Sequence, residues 1–150
     1  MKKPICEFKK LSHAADLPLP SYESDYAAGM DLRAAVPGTV PIKPGERALI
    51  PTGLQMGLQD GFEAQIRPRS GLAFKFGITM LNAPGTIDSD YRGEIKVLVI
   101  NHGDEVFNVS FGDRIAQMII APVSRAEIRE VQELGETERN KGGFGSTGIE

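Results

Sequence analysis

Glycine and proline divide this sequence into short segments, and such punctuation is typical of all-β proteins. The two residue types make up 27 of the 150 residues, or 18%, where average sequences contain about 12%. They fall between short apolar segments, and the pairs Pro37-Gly38, Pro44-Gly45 and Asp60-Gly61 are typical of turns. No alternation of strands with long helices is present, so a parallel α/β fold is not expected.

The segments between the turns have the length and composition of strands. Five of them are rich in β-branched residues: 46–58, 62–68, 94–100, 105–111 and 114–122. In the second segment, Phe62, Ala64 and Ile66 alternate with polar residues and so share one face. Short strands at near-regular spacing predict one domain, a barrel or jelly-roll sandwich.

Charge and composition exclude several functional classes. The net charge of −3 and the pI near 5.5 argue against binding to nucleic acid, because neutralising a duplex backbone requires clustered lysine and arginine. No stretch approaches the ~18 apolar residues of a membrane-spanning helix. Cys6 is the only cysteine, so an internal disulfide is impossible. Because Pro4 and Glu7 interrupt the apolar core that a signal peptide needs, we expect an unexported, cytoplasmic protein.

Residues 67–73, RPRSGLA, have the composition of an anion site. They lead into residues 70–76, the only predicted helix, with Ser70 as its cap. Leu72, Ala73 and Phe76 would form its apolar side. Amides at a helix start, a hydroxyl group and a guanidinium suit phosphate. A capped helix flanked by two surface arginines explains the same residues equally well.

Residues 81–95, LNAPGTIDSDYRGEI, predict a hairpin bent at the Pro-Gly pair, with Asn82 facing Tyr91. The Asn82 amide offers a donor and an acceptor, which matches the imide edge of a pyrimidine. Asp88 can accept a proton from a bound water. Alternatively, Asp88 pairs with Arg92 or accepts hydrogen bonds from turn amides.

Two further stretches combine a turn with polar residues beside a strand. In residues 28–35, a glycine two residues before Asp31 permits an unusual backbone angle there. An ordinary turn with a solvated Asp31 has the same sequence. In residues 111–120, a Gly-Asp turn precedes a strand on which Arg114 and Gln117 are expected to lie on opposite faces.

The C-terminal stretch is glycine-rich and has too few apolar residues to form core. In residues 139–148, RNKGGFGSTG, amides and hydroxyls can wrap an anion while Phe144 stacks on a ring. A disordered tail has the same composition. The stretch lacks the Gly-Lys-Ser/Thr ending of a P-loop.

In this order, the five stretches resemble the five motifs of the trimeric deoxyuridine triphosphate nucleotidohydrolases, the dUTPases. The resemblance implies an all-β, jelly-roll-like β-barrel (β-clip) subunit with one short helix, assembling as a homotrimer whose active sites each use more than one chain. It implies a barrel domain over residues 1–135 and a flexible, glycine-rich arm over residues 136–150 that closes over an active site.

The resemblance also implies roles for individual residues. Asp88 would orient and deprotonate the attacking water. Asn82 would read the uracil edge with main-chain groups of Thr86 and Ile87, and Tyr91 would lie under the deoxyribose and exclude a 2'-hydroxyl. The other implied substrate contacts are Arg69, Ser70, Gly71 and Gln117 for the phosphates, Lys96, Arg139 for the γ-phosphate, Phe144 over the base, and Gly145, Ser146 and Thr147.

The implied reaction is hydrolysis of dUTP to dUMP and pyrophosphate, which keeps uracil out of DNA and supplies dUMP for thymidylate synthesis. Mg2+ would be chelated by the phosphates, with Asp31 reaching it through water. Asn140 departs from the family, which usually has glycine there; asparagine tolerates a left-handed backbone angle. His13 and His102 lack the spacing of a metal site and are expected to be ordinary structural or surface residues.

Two other functions are compatible with these motifs. A dCTP deaminase shares the fold, although in that family a glutamate lies near the hairpin. A nucleotide-sensing interaction protein would bind dUTP without cleaving it.

Overall fold

A computed structural model describes residues 3–143 of the chain. In this part of the chain there are eleven strands, the helix α1 (Ser70–Phe76) and a 3-10 turn over Ser12–Ala14. The strands are β1 Cys6–Lys10, β2 Met30–Arg33, β3 Val40–Ile42, β4 Arg47–Pro51, β5 Leu54–Leu58, β6 Phe62–Arg67, β7 Ile78–Met80, β8 Gly85–Ile87, β9 Lys96–Asn101, β10 Phe107–Val109 and β11 Arg114–Pro122.

The strands form four antiparallel groups. The four-stranded sheet has the order β2-β11-β6-β8, and the three-stranded sheet has the order β4-β9-β7. Two pairs, β1-β5 and β10-β3, complete the fold. The all-β, jelly-roll-like fold with one short helix that the sequence predicts is confirmed.

Alternation along the strands builds the core. In β5, Leu54, Met56 and Leu58 are buried while the residues between them are half-buried. Each fully buried aliphatic side chain contributes about 1.5–3 kcal/mol. The largest side chains buried in this way are Leu32, Ile42, Ile50, Met56, Ile78, Ile95, Val97, Val99, Val109, Ile115 and Met118.

Each predicted strand segment contains a strand, but residues 46–58 divide into two, β4 and β5. The break occurs at Thr52 and Gly53. The Thr52 hydroxyl donates to the Ile95 carbonyl at 2.6 Å, and Gly53 has a φ of +65°, which L side chains rarely adopt. The chain therefore leaves one sheet and enters another within two residues.

The helix spans the predicted residues, but the expected cap is wrong. Arg69, with extended backbone angles, occupies the N-cap position and makes no side-chain capping bond, so Ser70 is the first helical residue. No residue of α1 is buried, and Phe76 lies 51% exposed with its ring 5.6 Å from the ring of Phe107. Only Leu72 packs against the core, so the predicted apolar side is mostly open to solvent.

The predicted hairpin in residues 81–95 is also wrong. Strand β7 pairs with β9, whereas β8 pairs with β6, so residues 81–84 carry the chain from the three-stranded to the four-stranded sheet. The crossing contains a cis peptide bond between Ala83 and Pro84. Tertiary pairing overrides the local turn signal here.

Residues 123–143 contain no helix or strand, and residues 122–141 are all exposed. The exposed side chains include the apolar Ile128 (89%) and Leu134 (87%). Within the described range, no helix is long and apolar enough to cross a membrane.

Candidate active site

Three charged residues from β2, β11 and the start of α1 meet on one side of the four-stranded sheet. The Asp31 carboxylate forms an ion pair with Arg69, whose Nε lies 3.0 Å from Oδ1, and accepts a hydrogen bond from Arg114 Nη1 at 3.1 Å. Arg69 Nη1 also donates to the Arg114 carbonyl at 3.0 Å. Two guanidinium groups around one carboxylate leave a net positive charge, which suits an anion. We call these three residues the arginine cluster.

A β-bulge brings Arg114 and Gln117 to the same face of β11, so the prediction of opposite faces is wrong. The register shifts between Arg114 and Ala116, and Gln117 lies directly opposite Asp31. The extra residue changes the alternation, so the side chains on both sides of the bulge lie on the same face of the sheet as Asp31. Gln117 Nε2 donates to the Pro68 carbonyl at 2.9 Å, which ties β11 to the segment before α1.

Small residues shape the surroundings of the arginine cluster. A Cβ on Gly29 would lie 2.5 Å from Gln117 Oε1, so glycine here leaves room for this amide in its present position. Gly71 has no atom within 4 Å of its own Cβ position, and Ser70 and Gly71 are exposed in the first turn of α1. The polar groups beside Arg69 are therefore accessible to a ligand.

A second group of predicted residues lines a recess of about 420 Å³ between β8 and the start of β9. Five predicted residues share it: Thr86, Ile87, Asp88, Tyr91 and Lys96. Leu49, Glu94 and Ile95 complete the lining and were not predicted. Leu49 comes from β4, which pairs with β9 by a long-range register that no local pattern reveals.

Asp88 is exposed at this recess and, within residues 3–143, its carboxylate makes no ion pair or hydrogen bond. The alternative of an Asp88–Arg92 pair is therefore wrong. Arg92 Nη1 instead donates to the carbonyls of Ser89 at 2.7 Å and Tyr91 at 3.1 Å. The guanidinium holds the turn and leaves the carboxylate free for a ligand.

Tyr91 is folded back over its own loop. Its hydroxyl donates to the Glu94 carbonyl at 3.2 Å, and a Cβ on Gly93 would overlap the ring. Asn82 does not line the recess; its amide lies against Gly85, 3.1 Å from the position of a Cβ there. The predicted face-to-face arrangement of Asn82 and Tyr91 depended on the hairpin that is not formed.

The arginine cluster and Asp88 are far apart within one chain. Asp31, Gln117 and Arg67 form one row across three strands. On β8 this row continues at position 84, which is one residue before Gly85 and four residues before Asp88. Three strand spacings and four residues give about 14 Å across the sheet and about 13 Å along it, or about 20 Å in total.

Comparison with known proteins decides the family. The family model described as dUTPase matches residues 15–148, nearly the whole chain. This chain belongs to the dUTPase family. Among its relatives, the deoxyuridine 5'-triphosphate nucleotidohydrolase of Mesorhizobium japonicum is 60% identical over 97% of this chain and 91% of the relative. That of Rhizobium rhizogenes is 57% identical over 98% and 96%.

Solved dUTPase structures share the fold. The dUTPase of Staphylococcus bacteriophage 80alpha with dUPNHPP is 25% identical, with a TM-score of 0.85 over 97% of this chain and 99% of that chain. A point mutant of the dUTPase from phage phi11 of S. aureus, described with a structural Mg(II) ion, is 22% identical. Its TM-score is 0.78 over 88% of this chain and 99% of that chain.

In this dUTPase-family chain, two predicted arm residues fall within the described part. Arg139 Nε donates to the Gly142 carbonyl at 2.9 Å in an exposed turn. Asn140 has a φ of 40°, the left-handed angle expected where the family has glycine. Phe144, Gly145, Ser146 and Thr147 lie outside the described residues.

The carboxylates of this dUTPase-family chain fit only a metal ion that takes most of its ligands from water and substrate. No group of three or more His, Cys, Asp or Glu among residues 3–143 can hold a metal ion. Asp31 is a single carboxylate whose oxygens already face two arginines. Mg2+ retains water ligands readily and is often bound through substrate phosphates. Asp31 is thus suited to an outer-shell contact through water.

Proposed function

We propose that this member of the dUTPase family hydrolyses dUTP to dUMP and pyrophosphate by attack of water on the α-phosphorus. The observation that carries the proposal is the exposed carboxylate of Asp88, which has no partner among residues 3–143, in a recess with Tyr91 and β8. The names of relatives 57–60% identical to the chain support the substrate. The reaction would keep uracil out of DNA and supply dUMP for thymidylate synthesis, in the reducing cytoplasm that a lone cysteine fits.

In the proposed complex, the recess takes the deoxyuridine. Strand β8 ends the four-stranded sheet, and no described strand pairs with its outer edge. Main-chain groups of Thr86 and Ile87 on this edge can pair with the uracil imide as an added strand would, and Asn82, three residues before β8, would read the imide edge. Tyr91 would support the deoxyribose and exclude a 2'-hydroxyl, and Lys96 would contact the substrate at the rim of the recess.

The arginine cluster would hold the triphosphate. Arg69 and Arg114 supply guanidinium groups, and Gln117 and the first turn of α1 at Ser70 and Gly71 add neutral donors. Arg114 was not among the residues predicted to bind substrate; its contact with Asp31 supports adding it. Mg2+, when bound to the phosphates, would add positive charge against the departing pyrophosphate, with Asp31 facing it through water.

The separation of the two groups supports a site shared between subunits. Reacting atoms must approach within about 3–3.5 Å, yet Asp88 is about 20 Å from the arginine cluster of its own chain. This separation supports a site in which another chain supplies Asp88. We place three such sites in a homotrimer.

The exposed C-terminal segment also fits an assembly of several chains. The apolar side chains of Ile128 and Leu134 are almost fully exposed, so packing on a neighbour would remove them from water. We propose that residues 1–135 form the barrel domain and that residues 136–150 form the arm. The arm would close over a bound nucleotide, with Arg139 on the γ-phosphate, Phe144 over the base, and Gly145, Ser146 and Thr147 adding contacts.

In the chemical step, Asp88 would accept a proton from the water that attacks the α-phosphorus. Arg69 and Arg114 would stabilise negative charge that develops on the phosphate oxygens. The recess would keep the nucleoside fixed so that the water, the α-phosphorus and the leaving oxygen stay in line.

The test is to incubate the full chain with Mg2+ and one nucleotide at a time, dUTP, dCTP, dTTP or UTP. The pyrophosphate and the ammonia released in each reaction are then measured. We expect pyrophosphate from dUTP and little from the others. Ammonia from dCTP would indicate a deaminase instead. Tight binding of dUTP without cleavage would indicate a nucleotide-sensing protein.

A further inference from the structure

A histidine outside the five motifs contacts the loop that carries one of them, residues 81–95. His13, on the 3-10 turn near the N-terminus, lies with Nε2 2.7 Å from Glu94 Oε1. The same oxygen accepts from the Gly53 amide at 2.9 Å. Because an ionised carboxylate can only accept, His13 must donate from Nε2. The Glu94 side chain is only 18% exposed, so the contact is partly shielded from water.

Glu94 connects this contact to the recess. Its main-chain carbonyl accepts from the Tyr91 hydroxyl at 3.2 Å, and Glu94 lines the recess together with Asp88. A movement of Glu94 would therefore move the acceptor of the Tyr91 hydroxyl. His13 and Tyr91 thus both contact Glu94, the first through its side chain and the second through its main chain.

The loop from Asp88 to Glu94 is held at several points, one of which is the Arg92 carbonyl, which accepts from Gln55 Nε2 at 2.8 Å. Arg92 holds the first part by donating to carbonyls within the turn. Glu94 holds the second part through its carboxylate, and without His13 the Gly53 amide would be its only side-chain contact among residues 3–143.

We propose that His13 is a positioning residue that, through Glu94, fixes Tyr91 in the recess and so sets the discrimination against ribonucleotides. This inference rests on the proposed function, because Tyr91 selects the sugar only if the recess binds a nucleoside. His102, the other histidine, is exposed and its ring makes no hydrogen bond within the described residues, so it is a matched control.

The first test compares His13→Ala, His13→Gln and His102→Ala in kinetics with dUTP and with UTP. A glutamine amide nitrogen can reach the position of the histidine Nε2, so His13→Gln retains a donor to Glu94. For His13→Ala we expect KM for dUTP to rise about three- to tenfold with kcat within about twofold, the loss of one partly exposed hydrogen bond to a charged group.

The ratio of kcat/KM for dUTP to that for UTP should fall by a similar factor in His13→Ala, recover in His13→Gln and stay at the wild-type value in His102→Ala. An unchanged ratio in a folded His13→Ala protein would overturn the proposal. A ratio in His13→Gln as low as that in His13→Ala would also overturn the proposal. The loss of selectivity would then come from the missing imidazole ring and not from the missing hydrogen-bond donor.

The second test does not depend on turnover. The chain has three tyrosines, so 3-fluorotyrosine gives three 19F resonances, and Tyr91→Phe identifies the one from Tyr91. We expect this resonance to shift or broaden in His13→Ala and to return in His13→Gln. An identical Tyr91 resonance in all variants would overturn the role of His13. Failure of the wild type to cleave dUTP would instead overturn the proposed function.

Discussion

Replacing Gly93 by alanine is expected to separate nucleotide selection from folding. The new Cβ would overlap the hydroxyl end of Tyr91 and lie 2.9 Å from its Cε2, closer than real Cβ contacts. Tyr91 is 46% exposed, so its ring can move toward solvent while the backbone stays in place. The folded state would lose the bond to the Glu94 carbonyl, about 0.5–1.5 kcal/mol. A chain of this length loses about 2–4 °C in Tm for each kcal/mol, so Tm should fall by about 1–6 °C.

The effect on the reaction is expected to be larger. The ring must move by about 1 Å, and a misplacement of that size costs on the order of 100-fold in rate. The assay is kcat/KM for dUTP and UTP, together with thermal unfolding. Gly38→Ala is the matched control, because a Cβ there meets no atom within 4 Å and the residue lies outside the site. Wild-type rate and selectivity in Gly93→Ala would refute the reasoning, as would a loss of stability large enough to require backbone distortion.

Three further outcomes are expected. Asp88→Asn should lower pyrophosphate release from dUTP by at least about 100-fold while calorimetry shows near wild-type affinity, because the amide cannot accept the proton; full turnover would remove Asp88 from the mechanism. Deleting residues 136–150 should abolish most activity and leave Tm unchanged, since residues 136–141 are exposed. An active truncated protein would show that the arm is not needed. Burial, with a smaller contribution from the Glu7 charge, raises the pKa of Cys6, so alkylation near pH 8 should be slower than for free cysteine and faster in Glu7→Gln; equal rates in both proteins would contradict this.

Turn residues and alternation predicted the fold class because they act locally. The limits of β11 and the burial of Ala64 and Ile66 followed directly from the sequence. The pairing of β7 and β8 with different sheets did not, because the Pro-Gly signal is the same for a hairpin and for a crossing. No local sequence pattern indicates in which register two distant strands pair.

In the candidate site, too, the sequence predicted what depends on neighbouring residues and missed what depends on distant ones. The stretch from Thr86 to Lys96 is short, so its residues converge on one recess by chain proximity. Glu94 and Leu49 were missed, the first because its partner His13 is 81 positions away, the second because β4 meets β9 only in the folded sheet. Arg114 was placed on the wrong face because counting by two cannot detect a bulge.

Because of the β-bulge at Ile115, the arrangement of the site depends more on the number of residues in β11 than on the identity of the bulged residue. Ile115 is buried and could be exchanged for another aliphatic residue at modest cost. Removing it, or adding a neighbour, would rotate the remainder of the strand by half a turn and exchange Met118 with Gln117 between the interior and the ligand side. Natural variants of this protein should therefore tolerate substitution at this position and never an insertion or a deletion.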